Sequence, residues 1–231
     1  MKTIGLIGGM SWESSAQYYR IINEQVKQRL GGLHSAKCIM YSVDFDEIAR
    51  FQSNGDWEGA GEHLANAAES LQRAGADFIL IGANTMHKVV EAVEARITIP
   101  VLHIADATAN QIQKAGLKKV GLLGTKYTME EDFLIARVES HGIEVSVPEK
   151  ADRQRVHNII YEELCRGEFR KESKDYYIGA MKKLIDDGAE GIILGCTEIG
   201  LLVTSDDIDI PLFDTAFIHA LESVKMALEV E

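Results

Sequence analysis

The sequence predicts an α/β protein made of two similar three-layer αβα halves, each with a parallel sheet. Three observations predict it. Apolar, strand-like runs alternate with amphipathic helical stretches along the chain, the pattern of strands joined by helical crossovers. The runs Phe78 to Ile81 and Ile192 to Leu194 are apolar throughout and end in small polar turns, as a buried parallel strand would. And three strand strings occur twice in the same order. Ile4-Gly5-Leu6-Ile7-Gly8-Gly9 matches Val120-Gly121-Leu122-Leu123-Gly124-Thr125. Gly75-Ala76-Asp77-Phe78-Ile79-Leu80-Ile81-Gly82-Ala83-Asn84-Thr85 matches Gly188-Ala189-Glu190-Gly191-Ile192-Ile193-Leu194-Gly195-Cys196-Thr197-Glu198. Ile99-Pro100-Val101-Leu102 matches Ile210-Pro211-Leu212-Phe213. One such match between unrelated strands is ordinary; three in order point to a duplication.

The elements follow from these patterns. Lys2 to Gly8 reads as a strand, and Ser14 to Leu30 as a helix with Tyr19, Ile22, Val26 and Leu30 on one face. Cys38 to Val43 is a second strand. Trp57 to Ala74 is an amphipathic helix with Leu64, Ala67 and Leu71 facing inward. The strand after Asp77 follows, then a helix over His87 to Arg96, the Val101 strand and a helix from Asp106. The second half runs through a strand at Lys119, a helix from Met129, a strand at Val145, helices near Val156 and Tyr176, and the strand after Gly191. Pro100 and Pro211 each open a short strand, where a missing N–H is tolerated. No low-complexity linker separates the halves. The repeat divides the chain into 1–98 with 212–231, and 99–211, the last helix, Phe217 to Leu228, packing back on the first half.

At 231 residues and 46% apolar content the chain has ample material for a core. No apolar run is long enough to cross a bilayer. Met1-Lys2-Thr3 leads straight into a strand pattern with no signal-peptide cleavage site, so a cytoplasmic location is expected. The three cysteines, Cys38, Cys165 and Cys196, are an odd number without paired metal-ligand spacing, which argues against a disulfide framework and a structural zinc site. The net charge of −12 disfavours a nucleic-acid partner. An anionic ligand would have to be held locally, by helix N-termini or a few placed groups.

In open parallel sheets, ligands bind beyond the carboxyl ends of the strands. The turns Gly8–Ser15, Gly82–Thr85, Gly124–Thr128 and Gly195–Glu198 lie at such ends. Gly8-Gly9-Met10-Ser11-Trp12-Glu13-Ser14 has neither dinucleotide nor P-loop glycine spacing. What remains is a turn whose backbone N–H groups can hold a small carboxylate, or a plain tight turn with Ser14 as N-cap. Asn84 and Thr85 start a helix and can cap it or donate to a ligand. Cys196 ends a strand and opens a helix-like turn, a position that lowers a thiol's pKa from about 8.5 toward neutrality. Cys38 and Cys165 fall inside a strand and a helix and read as structural. His87 and His103 can approach the strand ends, although a packed or surface role is the ordinary one for a histidine.

Gly5-Leu6-Ile7-Gly8-Gly9-Met10-Ser11-Trp12-Glu13-Ser14, Asn84-Thr85-Met86-His87 and Gly195-Cys196-Thr197-Glu198-Ile199-Gly200 together resemble the aspartate/glutamate racemase family. Leu33-His34-Ser35-Ala36 and His103-Ile104-Ala105-Asp106-Ala107-Thr108 extend the resemblance over essentially the whole chain. The resemblance implies amino-acid racemisation without pyridoxal phosphate or any other cofactor, and without a metal. It implies two α/β domains related by a pseudo-twofold axis, with the active site between them. One residue from each domain would flank the substrate α-carbon, one removing a proton and the other delivering one to the opposite face. It further implies a small amino-acid substrate, no nucleic-acid or membrane partner, and a homodimer. The matching catalytic positions are Cys196 and Ala83. Met10, Gln52, Asn84, Thr85 and Thr197 match the substrate-binding positions.

Ala83 departs from the pattern, because a methyl group neither gives nor takes a proton. Racemisation impaired at one of its two bases is therefore the expectation. A single-cysteine arylmalonate-type decarboxylase and a non-catalytic amino-acid or dicarboxylate binding protein are the alternatives.

Overall fold

A computed structural model describes residues 1–229. Its elements are, in chain order, β1 (Ile4–Gly8), α1 (Trp12–Leu30), β2 (Cys38–Ser42), α2 (Phe45–Asn54), α3 (Trp57–Arg73), β3 (Phe78–Ile81), α4 (Val90–Glu94), α5 (Ile104–Lys114), β4 (Lys119–Gly124), α6 (Lys126–Glu130), α7 (Asp132–Glu139), β5 (Glu144–Ser146), α8 (Lys150–Glu162), α9 (Lys171–Asp186), β6 (Ile192–Gly195), α10 (Ile199–Leu202), β7 (Leu212–Asp214) and α11 (Thr215–Leu228). The described residues contain no helix long and apolar enough to cross a membrane.

The chain forms two compact units. The first holds residues 1–104 and the C-terminal stretch from His219; the second is Ala105–Ile218. Each unit has its own parallel sheet, ordered β2-β1-β3 in the first and β5-β4-β6-β7 in the second. Val101 adds to β3 through a single parallel bridge to Ile79, so the Val101 segment is a bridge rather than a strand. This makes the two sheet orders equivalent, with β1, β2, β3 and Val101 answering to β4, β5, β6 and β7.

The equivalence reaches individual hydrogen bonds. Ile79 N–H donates to Pro100 O, and Ile192 N–H donates to Pro211 O, both at 2.9 Å. The Asp77 carboxylate accepts from Thr3 N–H at 2.5 Å, while Glu190 accepts from Lys118 N–H at 2.7 Å and Lys119 N–H at 3.1 Å. In each unit an acidic side chain at the foot of the third strand pins the start of the first.

Glycine stands at the end of both third strands, Gly82 just after β3 and Gly195 as the last residue of β6, for one reason. A Cβ at Gly82 would press on Ile7 O at 3.1 Å, and one at Gly195 on Leu123 O at 3.1 Å. The strand end therefore lies close against its neighbour, and the next residue is carried to the sheet's carboxyl edge.

From His219 onward the last helix lies in the first unit, while its first residues, Thr215 to Ile218, lie in the second. Lys2 N–H donates to Ala227 O at 2.8 Å, and Tyr18 O–H meets His219 Nδ1 at 2.9 Å. Three expectations are corrected. Tyr19 and Leu30 are 53% and 43% exposed, and α1 buries Ser14, Ser15, Tyr18, Ile22 and Val26 instead. The N-cap of α1 is Ser11, whose Oγ accepts from Ser14 N–H, rather than Ser14 itself. The helix expected from His87 begins as a 3-10 turn over Thr85–Val89 and becomes α-helical only at Val90. A further helix, α2, was not expected; Asp44 caps it and Gly55 closes it in the left-handed region.

Candidate active site

The glycine-rich turn after β1 is built by its backbone. Gly9 has φ +93°, and a Cβ there would meet Val43 O at 2.2 Å, so only glycine fits. Gly9 N–H donates to Ser15 Oγ at 2.7 Å, and Ser15 Oγ–H donates to Ser11 O at 2.8 Å. The Gly9 amide is thus engaged within the turn itself. The Met10–Ser11 peptide is cis. At the head of α1 the Ser14 hydroxyl and Glu13 Oε2 are buried without a hydrogen-bond partner.

Met10 and Ala83 are buried in one apolar cluster with Ile48 and Met86. Gln52, presented by α2, joins it by donating from Nε2 to Met86 Sδ at 3.2 Å. The first unit therefore brings Met10, Gln52 and Ala83 together, with Asn84 and Thr85 following in the chain. Asn84 sits at the N-cap position of the 3-10 turn, but its side chain makes no capping hydrogen bond. Capping alone does not explain it. Asn84 and Thr85 are both buried.

His87 holds this strand end. Its Nδ1 lies 2.9 Å from Ala83 O and its Nε2 3.3 Å from Ile104 N. Bonds to a carbonyl on one side and an amide on the other fix a neutral ring with the proton on Nδ1. The His103 ring packs against it at 4.5 Å. Both histidines are buried packing groups of the first unit.

In the second unit, Cys196 follows Gly195 as Ala83 follows Gly82, and each is 8% exposed. The Cys196 Sγ–H donates to Glu198 Oε2 at 2.9 Å. Thr197 Oγ1–H donates to the same oxygen at 2.8 Å. Thr215 Oγ1–H donates to Leu194 O at 2.8 Å, tying the head of α11 to the end of β6.

The thiol pKa moves opposite to the expectation. Burial, then the Glu198 charge beside it, raise it well above the ordinary thiol value. The helix meant to lower it, α10, has four residues and starts three positions downstream. So short a helix carries little dipole, and the two opposing effects prevail. Cys38, within β2, is pushed up to about 11 by burial, as a structural thiol is. Cys165 lies in a 3-10 turn, Leu164–Arg166, rather than an α-helix. Glu198 was not singled out from the sequence. Its signal was its place two residues after Cys196, on a turn that returns the side chain to the sulfur.

Residues 7–222 match the Asp/Glu/hydantoin racemase family. The chain belongs to that family. A crystal structure of a candidate Asp/Glu racemase from Yersinia pestis superposes with TM-score 0.92 at 55% identity, covering 99% of this chain and 100% of the other. An aspartate racemase homologue from Pyrococcus horikoshii gives TM-score 0.86 at 39% identity, again over 99% and 100% of the two chains. The broad specificity amino-acid racemase RacX of Bacillus subtilis is 22% identical over 238 residues, 97% of this chain and 98% of that protein. Membership of a racemase family directs attention to the two strand ends that carry Ala83 and Cys196.

Proposed function

We propose that this chain is an amino-acid racemase that moves the α-proton of an acidic amino acid with Cys196, without pyridoxal phosphate, and that Ala83 stands where a second acid–base residue belongs. The observation that carries this reading is the matched strand ends. Ala83 and Cys196 follow the same glycine, on equivalent strands, with the same exposure. One position bears a thiol and the other a methyl group.

Cys196 serves one face of the α-carbon. At position 83 the methyl group offers no second acid or base. A positioned acid or base contributes about 10²–10⁴-fold, so its loss raises the barrier by about 3–5 kcal/mol. Exchange of the α-proton by Cys196 alone, with retention, is then faster than inversion. Asn84, Thr85, Thr197 and the Ser14 hydroxyl are the groups proposed to hold the substrate's carboxylates, with Met10 and Gln52 shaping the site. The acidic substrate class rests on the family and on the names of the similar proteins.

The test is incorporation of solvent deuterium at Cα of L- and D-aspartate and L- and D-glutamate, each followed separately by proton NMR. Exchange by the wild type that disappears in Cys196→Ala supports the reading. No exchange into any of the four would overturn it.

A further inference from the structure

The thiol proposed to take the α-proton already carries one. Cys196 is buried and its pKa is raised, so its proton does not leave to solvent near neutrality. A neutral thiol is a poor base. The first proton must move somewhere as the second arrives, and the groups around the sulfur decide where. Tyr161 and Tyr177 are both held protonated by burial. Asp214, whose pKa burial raises, is occupied at the head of α11, where Oδ1 accepts Phe217 N–H at 3.0 Å. Glu198 is different. Its carboxylate is 1% exposed, and Oε2 directly accepts the Cys196 S–H. Thr197 donates to the same oxygen and fixes it on the line to the sulfur. The Glu198 backbone N–H also bonds to the sulfur and holds it beside the carboxylate.

We propose that Glu198 is the proton acceptor behind Cys196. As the Cα–H bond breaks and its proton bonds to Sγ, the proton already on Sγ passes to Glu198 Oε2. One S–H bond forms as one breaks, and an O–H bond forms on the carboxylate. The negative charge moves from Glu198 to the α-carbon, and no other reactant is consumed. Reprotonation runs the two transfers backwards. The sulfur stays close to neutral throughout, which suits a buried atom that water cannot solvate. This inference rests on the reading of Cys196 as the acid–base residue and adds the group that completes it.

Glu198→Gln tests it, because glutamine keeps an oxygen for the S–H but cannot take up a proton. Two readouts should move in opposite directions. Deuterium exchange at the substrate Cα falls about 10²–10⁴-fold, the range for a lost proton acceptor. Alkylation of Cys196 by iodoacetamide, in a Cys38→Ser, Cys165→Ser background, becomes faster at fixed pH, because the charge opposing the thiolate is gone. Glu198→Asp, which restores a carboxylate at shorter reach, recovers part of the exchange. If exchange is unchanged or rises in Glu198→Gln, the proposal is wrong. It is equally wrong if both readouts fall together, the mark of a merely structural role.

A wild-type profile tests the proposal without any variant. With Glu198 as acceptor, kcat/KM for exchange is flat across the neutral range. If free thiolate is the base, it climbs about tenfold per pH unit toward the raised thiol pKa. Absence of exchange by the wild type on every amino acid tried would overturn the racemase reading, and the role of Glu198 with it. That failure is distinguishable because the wild type itself is then silent.

Discussion

Serine at position 196 keeps a hydroxyl where the thiol meets Glu198 but is a far weaker acid. Cys196→Ser is therefore expected to lower α-proton exchange about 10²–10⁴-fold while substrate binding, read by thermal shift, persists. The converse substitution is Ala83→Thr, which supplies a hydroxyl at the equivalent strand end. It should raise inversion about 10²-fold or more while leaving Cys196-dependent exchange in place; unchanged inversion would mean that another group delivers the second proton. A third residue governs pH rather than turnover. His219 is buried and neutral, accepting from Tyr18 O–H at Nδ1 and donating from Nε2 to Leu102 O at 2.8 Å. Burial lowers its pKa to about 4, a shift the Leu102 bond partly offsets. In the unfolded chain the ring titrates near 6.5, so between these values the unfolded state binds more protons. The stabilisation from neutral His219 is thus complete above about pH 6.5 and is lost as pH falls through about 4, amounting at most to roughly 3 kcal/mol. Urea midpoints of the wild type should fall over that interval, and those of His219→Gln should fall less. None of these contacts was legible in the sequence. Cys196 stood out by position, but its environment depends on a carboxylate turned back from Glu198 and on burial, and neither leaves a periodic trace.

Glycine at the two strand ends gives a comparison between elements. A Cβ at Gly195 would approach Leu122 Cδ1 at 2.6 Å as well as Leu123 O at 3.1 Å, whereas at Gly82 the nearest atoms are Ile7 O at 3.1 Å and Leu6 Cδ1 at 3.4 Å. Overpacking of this kind costs about 1–3 kcal/mol. Gly195→Ala should therefore lower stability more than Gly82→Ala, a ranking that denaturant titration reads directly. The strands β1, β3 and β6 were visible in sequence because they are buried throughout and carry no charged or polar side chain, and the helices between strands because they are amphipathic. The exceptions have physical causes. Tyr19 and Leu30 fit the helical period of α1, but period alone does not say which residues meet the sheet, and Tyr18 takes the inward place. The helix α2 is short, and its Asp44 and Gly55 signals are those of any turn. It carries Gln52, so missing it left a substrate-binding candidate without an element to present it.

At the scale of the molecule the duplication was the most legible feature. Its strings are long enough to align, and the structure repeats them in sheet order and in the paired acidic clasps of Asp77 and Glu190. What the strings could not convey is the chemistry at their tips, which differs between the copies by a single side chain. The net charge of −12 acts at this scale too. It repels a dicarboxylic amino acid at long range, so added potassium chloride should raise kcat/KM for aspartate through screening and leave a neutral amino acid nearly unaffected. The measurement that tests the central claim most directly is the partition of solvent deuterium at early times, with substrate and product enantiomers separated before mass spectrometry. With Cys196 as acid–base residue and Ala83 unable to serve, deuterium should appear first in the recovered starting enantiomer of one hand, ahead of inversion. Deuterium confined to the inverted product, at equal rates from both hands, would contradict the account.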